Sequence, residues 1–273
     1  MRILVLFKIV PDLDLLQDKE WTIKNTLPVE TAYVKKIINV YDESALELTL
    51  KMADHSINNK QQIELSAFTI GEPHADLFLK KLLALGFNNT YRVQCSADLR
   101  FNPYATASII TAFASQYGPY DLIAMGMQSS DGDNAKTALL VAEMLTWPCI
   151  TGVTGFELRD LDLVAVRNIN DQGLVEQLVH EPAVLAVGNA PCSLLRVPTL
   201  RDIKSAADQE IAIISLQSLG CDLKKLNRQN DTELESLNTV NNTRAGLVIE
   251  GTSAEEKARL LYEKHLKGWL SSR

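Results

Sequence analysis

The stretch 121–149, DLIAMGMQSSDGDNAKTALLVAEMLTWPC, decides the fold that the rest of the chain is expected to adopt. Its apolar run LIAM is typical of a buried parallel strand, and Gly126 allows a tight turn directly after it. Apolar residues then recur at helical spacing, so a helix is expected to start near Asn134 and to end before Trp147 and Pro148. The stretch therefore predicts a strand, a polar loop and a helix.

The polar loop after this strand lies where α/β sheets bind their ligands. Loops at the carboxyl ends of the strands line a crevice, and the next helix offers free backbone N–H groups that attract a phosphate. The carboxylates of Asp131 and Asp133 would repel that phosphate unless they face away, cap the helix or accept hydrogen bonds from ribose. We favour the cap and ribose roles. The alternative is a turn capped by Asp133 or Asn134 that binds no ligand.

Composition excludes several classes of protein. The chain has 273 residues, of which 46% are hydrophobic and 22% charged, as in an ordinary globular protein. A net charge of -7 argues against nucleic-acid binding, which requires clustered Lys and Arg. The sequence contains no run of about 18 apolar residues, so no membrane span is expected. The first residues, MRILVLFKIV, are too short for a signal peptide, so they predict a first strand and a cytoplasmic protein.

The cysteines and histidines predict no metal site. Cys95, Cys149, Cys192 and Cys221 are far apart and form no CxxC pair, so buried free thiols are expected. The four histidines are equally scattered.

Strands and helices are expected to alternate over the first half of the chain. The first strand should span 2–9, and the segment 13–37 lacks a clean period and predicts a surface excursion. Asn39 and Asp42 precede a helical pattern, with Asp42 or Tyr41 as its cap. Strands and helices then follow in turn at 63–70, 75–85, 91–94 and 103–117. This alternation requires right-handed crossovers and a mostly parallel sheet.

The pattern changes after Pro148. Short strands with hairpin-like spacing are expected at 150–158, 163–169, 174–180 and 183–187. This spacing predicts an antiparallel element appended to the parallel sheet. A last strand is expected at 210–216.

The residues after the last strand are expected to form an arm. The segment 220–245 is rich in Asn, Asp, Lys and Ser and has little periodicity, which is typical of an extended linker. Residues 251–270 predict an amphipathic helix with Ser253 and Glu256 as a capping box. The stripe on or near one face of this helix consists of Leu260, Leu261, His265, Leu266 and Trp269. We expect this stripe to be buried, against this chain or against another.

Several motifs, in order along the chain, resemble one family. GMQSSDGDNAKT at 126–137, followed by a helix and WPC, resembles the nucleotide-binding loop of the electron-transfer flavoprotein beta-subunit family. KIVPD at 8–12 and RVPTLRDI at 196–203 are similar to two further motifs of that family. NVYDESALE at 39–47 is similar to its N-P-x-D-E-x-A-x-E motif, with Val40 in place of the proline. The DGD version of the loop is most similar to the branch linked to nitrogen fixation and carnitine metabolism.

The resemblance implies a fold, two domains and a set of binding residues. The fold is α/β, a mostly parallel doubly wound sheet of the adenine nucleotide alpha hydrolase-like kind, with an appended antiparallel element and a C-terminal arm that ends in a helix. Residues 1–216 would form the nucleotide-binding domain and residues 217–273 the arm. The implied cofactor-binding residues are Leu6, Phe7, Lys8, Asn39, Val40, Tyr41, Asp42, Ile70, Gly126, Gln128, Ser129, Asp131, Gly132, Asp133, Asn134, Ala135, Lys136 and Thr137.

The resemblance also implies cofactors and partners. The chain would bind AMP or a second FAD, and would share the redox FAD with an electron-transfer flavoprotein alpha subunit that its arm contacts. A dehydrogenase or another redox protein would dock on the loop that carries Leu194, Leu195 and Arg196, unless that loop packs on its own domain.

Three hypotheses about function follow. The first is an electron-carrying subunit with a structural nucleotide, and the second is a bifurcating-type subunit whose own FAD takes electrons from NADH. The third is a nucleotide-binding protein of the universal stress kind, although the glycine-rich phosphate loop of that class is missing. The sequence contains no GxGxxG fingerprint and no nucleophile paired with a base, so a stand-alone catalyst is not expected.

Overall fold

A computed structural model describes most of the chain. The described residues are 1–17, 20–21, 29–58, 62–160, 163–180, 182–191, 194–229, 244 and 246–271. They belong to two compact units, 1–237 and 238–273.

The first unit is built on a large sheet. The strands of this unit are β1 (Arg2–Leu6), β2 (Ile9–Pro11), β3 (Lys36–Ile38), β4 (Glu64–Gly71), β5 (Asn89–Gln94), β6 (Leu122–Gly126), β7 (Cys149–Leu158), β8 (Val164–Asn170), β9 (Gly173–Val179), β10 (Ala183–Val187) and β11 (Ala212–Ser215). Among the described residues, nine strands form one sheet in the order β11-β5-β4-β1-β6-β10-β7-β8-β9. Its neighbours from β11 to β7 are parallel, and β7, β8 and β9 are antiparallel.

Helices cover both faces of this sheet. The helices of this unit are α1 (Val40–Asn58), α2 (Asp76–Ala84), α3 (Pro103–Tyr117), α4 (Thr137–Leu145), α5 (Leu200–Ser205) and α6 (Leu223–Arg228). Of these, α1 to α4 pack on the sheet, whereas α5 contacts α2 and α6 contacts α3. On one face Leu46 of α1 and Leu79 of α2 are fully buried, and on the other face Ile109 of α3 and Val141 of α4 are fully buried. The central strands are therefore apolar on both sides, which explains their continuous hydrophobic runs. The predicted α/β doubly wound fold is confirmed.

The strand predicted at 183–187 has a different place in the sheet from the one expected. We expected it to continue the series of hairpins, but β10 is inserted between β6 and β7 and is parallel to both. All five of its residues are buried. A strand enclosed on both sides and both faces can be wholly apolar, and hairpin-like spacing alone does not distinguish it from an antiparallel strand.

The strand predicted at 2–9 is interrupted at Phe7 and Lys8. β1 ends at Leu6, and β2 forms a separate antiparallel pair with β3. The chain leaves the large sheet at this point, so Phe7 and Lys8 lie at its carboxyl edge. Of the excursion predicted at 13–37, the residues 18–19 and 22–28 lie outside the described ones, and Leu13–Leu15 form a short 3₁₀ turn.

Two predicted helix starts need correction. Helix α4 begins at Thr137 rather than near Asn134, because Asp133 and Ala135 have left-handed backbone conformations with φ of 46° and 48°. Helix α1 begins at Val40, so neither Tyr41 nor Asp42 precedes it as a cap.

The predicted linker contains a helix before the second unit begins. α6 lies within 220–245, and the Asn102 side chain donates a hydrogen bond to Asn227 Oδ1 at 2.8 Å. Residues 230–243 and 245 lie outside the described ones.

The second unit contains a helical segment. Its elements are α7 (Ala254–Leu261), a π-helical turn (Tyr262–Leu266) and α8 (Lys267–Ser271). Ser253 accepts a hydrogen bond from the Glu256 amide, but the Glu256 carboxylate accepts from the amide of Thr252, so the predicted capping box is half formed. The Trp269 side chain is 55% exposed.

Candidate functional site

A cavity of about 930 Å³ opens at the carboxyl edge of the sheet. Its walls come from the loops after β1, β4, β5 and β6, and from residues 29–32. The strand order reverses between β1 and β6, the point at which open α/β sheets bind their ligands. The volume lies at the upper end of the range for small-molecule sites, about 300–1,000 Å³.

Most of the residues predicted to bind a cofactor are brought together in this cavity. The lining residues are Leu6, Phe7, Lys8, Asn39, Asp42, Ile70, Gly126, Gln128, Ser129, Asp131, Asn134, Ala135 and Thr137. The predicted residues outside the lining are Val40, Tyr41, Gly132, Asp133 and Lys136. Val40 is 56% exposed, because the first turn of α1 directs it away from the sheet.

Asn39 and Asp42 connect the start of α1 to the loop after β6. Asp42 accepts a hydrogen bond from the Gly126 amide at 2.7 Å and another from the Lys8 amide at 2.9 Å. The Asn39 side chain donates to the Gln128 carbonyl at 2.8 Å and accepts from the Ser130 amide at 3.2 Å. These two side chains therefore bond to the segments after β1 and β6, two of the four loops that wall the cavity. Burial raises the pKa of Asp42 to about 6, although its hydrogen bonds act to lower it.

Asp131 has a different structural role from the cap that we favoured. Its carboxylate accepts a hydrogen bond from Lys8 Nζ at 2.7 Å, and its side chain is only 8% exposed. The N-cap position of α4 is occupied by Lys136, whose side chain makes no capping bond. Neither Asp133 nor Asn134 caps the helix, because Ala135, in a left-handed conformation, and Lys136 lie between them and the first helical residue, Thr137.

The loop after β6 also packs on the loop after β5. The Asn134 side chain donates to the carbonyl of Arg100 at 3.0 Å, and a Cβ at Gly132 would lie 2.8 Å from the same oxygen. Arg100 pairs with Asp98, and this hydrogen bond holds the pKa of Asp98 below its ordinary value. The two loops therefore form one continuous wall.

Sequence reasoning missed the far side of the cavity. Glu72 and His74 after β4, and Asp98 and Arg100 after β5, line it as well. The rule that pointed to the loop after β6 applies equally to these strand ends, so the signal was present. The Thr69 hydroxyl, buried in the cavity wall, has no hydrogen-bond partner in the part of the chain that the structure describes.

The three residues of the predicted docking loop have different environments. Leu194 is 81% exposed, whereas Leu195 is 7% exposed and belongs to the core. Arg196 bonds the buried carboxylate of Glu47 through Nε, Nη2 and its backbone N–H, and bonds Asp54 through Nη1 at 2.7 Å. The docking role of these residues stays a prediction, but only Leu194 offers an uncovered apolar side chain.

Cys95, Cys149 and Cys221 are free thiols, and Cys192 lies outside the described residues. Within the described ranges, no three His, Cys, Asp or Glu side chains are grouped closely enough to bind a metal ion. No helix in those ranges has the length and apolar composition needed to cross a membrane.

The fold and the site define an α/β protein with an open crevice at the switch point of a doubly wound sheet. Residues 26–218 match the electron transfer flavoprotein domain family. The chain therefore belongs to the electron transfer flavoprotein family, and its similarity to beta subunits over nearly its full length assigns it to the beta-subunit group.

Three relatives illustrate this similarity. YgcR of Escherichia coli (strain K12), whose name provisionally describes an electron transfer flavoprotein subunit, is 30% identical over 98% of each chain. An electron transfer flavoprotein subunit beta of Thermoanaerobacterium thermosaccharolyticum is 28% identical over 96% of each chain. The acryloyl-CoA reductase electron transfer subunit gamma of Anaerotignum propionicum is 26% identical over 97% of this chain and 100% of its own.

Proposed function

We propose that this chain binds AMP or a second FAD in the cavity, pairs with an alpha subunit that holds the redox FAD, and docks a dehydrogenase. The observation that carries this proposal is the open cavity at the switch point, lined by the residues of three family motifs. A crevice filled by the chain's own side chains would have argued against it.

The lining suits a nucleotide that is held rather than processed. Lys8, which is paired with Asp131, and Arg100, which is paired with Asp98, supply positive charge for a phosphate. Asp131 supplies a carboxylate for ribose hydroxyls, and the buried Thr69 hydroxyl has no partner among the residues that the structure describes. The apolar side chains of Leu6, Ile70 and their neighbours would exclude water from a purine ring. A bound FAD would supply the electron-transfer chemistry.

A second candidate function is a bifurcating-type subunit whose own FAD takes electrons from NADH. The observation that favours it is the extent of the cavity, which continues from the loop after β6 to the loops after β4 and β5. An adenine mononucleotide needs only part of this space, whereas an isoalloxazine ring would use the remainder.

Within the segment proposed for docking, we expect the exposed apolar side chains to contact the partner. Leu194 and Val197 on the loop and Leu200 at the start of α5 are 81%, 81% and 86% exposed, and several exposed apolar side chains close in sequence are typical of a protein contact. Arg196 is engaged by Glu47 and Asp54, so it would orient the loop rather than contact a partner. For the arm, 217–273, we propose a contact with the alpha subunit that covers the apolar stripe.

Counting the bound cofactors tests the proposal. The full-length chain is co-expressed with its alpha-type partner, the complex is purified and denatured with acid, and FAD and AMP are counted for each heterodimer. We expect one FAD and one AMP for the first function, and two FADs for the second. A flavin-free homodimer that carries ATP would contradict both and favour the stress-protein class.

Asp131→Ala is expected to lower nucleotide occupancy, with about a tenfold loss of affinity, because a buried carboxylate at the cavity wall is removed. Asp133→Asn is the matched control in the same loop. Asp133 is exposed and outside the lining, and Asn tolerates its left-handed backbone. Occupancy is measured by acid release of nucleotide from each purified variant. Equal nucleotide content in Asp131→Ala and the wild type would count against the assigned loop.

A further inference from the structure

The buried carboxylate of Asp42 joins two segments that are distant in sequence. Lys8 follows β1 and Gly126 ends β6, and the amides of both residues donate to the same carboxylate, one to each oxygen. Asp42 is 6% exposed, and Gly126 leaves it room because a Cβ there would lie 2.5 Å from Asp42 Oδ1. The two strand ends that bound the cavity are thus tied together through one side chain.

This tie depends on the charge of the side chain. A carboxylate accepts hydrogen bonds through both oxygens, whereas a protonated carboxyl carries a donor on one of them. Protonation therefore weakens one of the two amide bonds and sets a donor against a donor. Either Lys8 or Gly126 would then lose its hold on α1.

We propose that Asp42 is a positioning residue that holds the end of β6 and the segment after β1 together only as a carboxylate. Ligand binding at this site is therefore sensitive to pH. The inference rests on the proposed nucleotide-binding function and adds a form of regulation to that site. Asp42 is one of many residues that line the cavity. We expect it to act through its hydrogen bonds to the main-chain amides of Lys8 and Gly126.

The surroundings of Asp42 put the change in a physiological range. Burial raises its pKa to about 6, against the hydrogen bonds from Lys8, Gly126 and Asn39 and the charge of Lys8. The ammonium of Lys8 is itself paired with Asp131, so part of its charge is neutralised by that carboxylate. On α1, Glu43 follows Asp42 directly, and burial raises its pKa as well.

Protonation of Asp42 is expected to weaken ligand binding but to stabilise the folded state. Between the ordinary pKa of 3.8 and the value of about 6, the folded chain binds more protons at Asp42 than the unfolded chain. Protonation of Asp42 therefore favours the folded state, and this contribution is lost as the pH rises through about 6. A loss of affinity at low pH that comes from Asp42 should thus occur without a loss of thermal stability from the same group.

The test compares the full-length wild type with Asp42→Asn, which fixes the uncharged state at every pH. FAD is the probe, because its diphosphate, unlike the phosphate of AMP, does not titrate in this range. We expect the wild type to lose about tenfold in affinity between about pH 7.5 and pH 5, and Asp42→Asn to bind about tenfold more weakly at both. A pH-independent wild type, or a variant that matches the wild type at pH 7.5, would overturn the proposal.

A second measurement needs no ligand. Amide hydrogen exchange of the segments around Lys8 and Gly126 is compared between the two unliganded proteins at one pH. Faster exchange in Asp42→Asn supports the tie, and equal exchange overturns it. If the wild type binds neither FAD nor AMP at pH 7.5, the proposed function fails, and the exchange result still decides whether Asp42 ties the two segments.

Discussion

Replacing Arg196 with methionine is expected to lower the free energy of unfolding by about 3 kcal/mol, since it leaves a buried carboxylate without its cation. The side chain of Glu47 is 5% exposed and pairs with the Arg196 guanidinium at 2.8 Å. Methionine keeps the aliphatic packing of the arginine stem but offers no donor. The measurement is urea unfolding of the full-length chain, with the midpoint and slope determined for both proteins.

Asp54→Asn is the matched control for this prediction. Asp54 pairs with the same guanidinium at 2.7 Å, but its side chain is 56% exposed. Water screens such a pair, so its loss should cost under about 1 kcal/mol. If Arg196→Met proves as mild as Asp54→Asn, the buried pair does not stabilise the fold in the way that its geometry indicates.

The consequence of this pair extends to the proposed docking loop. Arg196 fixes the segment between buried Leu195 and the exposed side chains of Val197 and Leu200. Its partner Glu47 lies on α1, the helix whose first turn holds the cavity through Asp42. One helix therefore supports both the cavity and the loop, so changes along α1 should be tested for both functions.

The parts of the fold that were predictable from sequence depend on strong local periodicity. Helix α3 has the predicted bounds, from Pro103 to Tyr117, because proline at its start and glycine and proline after its end mark both boundaries. The parallel sheet followed from the alternation of strands and helices. The position of β10 did not follow from this alternation. The choice between a hairpin and a parallel insertion depends on long-range pairing, which a local pattern does not contain.

The cavity was predictable in place but not in detail. The loop after β6 was identified from its position after a buried strand, and Lys8 and Asn39 from family motifs. The pairing of Lys8 with Asp131 joins residues more than a hundred positions apart, and no local spacing predicts it. The delayed start of α4 depends on left-handed conformations at Asp133 and Ala135, and alanine gives no sequence signal for such a conformation.

Gly126→Ala is expected to lower affinity at the proposed nucleotide site about a hundredfold. A Cβ at this position would lie 2.5 Å from Asp42 Oδ1, 2.8 Å from the Asp42 backbone nitrogen and 2.8 Å from Tyr41 Cβ. Two of these neighbours belong to the backbone or to its first side-chain carbon, so no rotamer change relieves the clash. Either the end of β6 or the start of α1 must move, and both carry the cavity wall.

Gly71→Ala is the control, because Gly71 also ends a parallel strand and lines the same cavity. A Cβ there would meet no atom of the described residues within 4 Å, so the added methyl group should change the free energy of unfolding by under about 0.5 kcal/mol. Binding of FAD and AMP is measured by calorimetry for both variants and the wild type, together with thermal unfolding. Wild-type affinity in Gly126→Ala would mean that the contact between α1 and β6 does not shape the site. A loss in both variants would mean that the cavity is sensitive to any added bulk rather than to this contact.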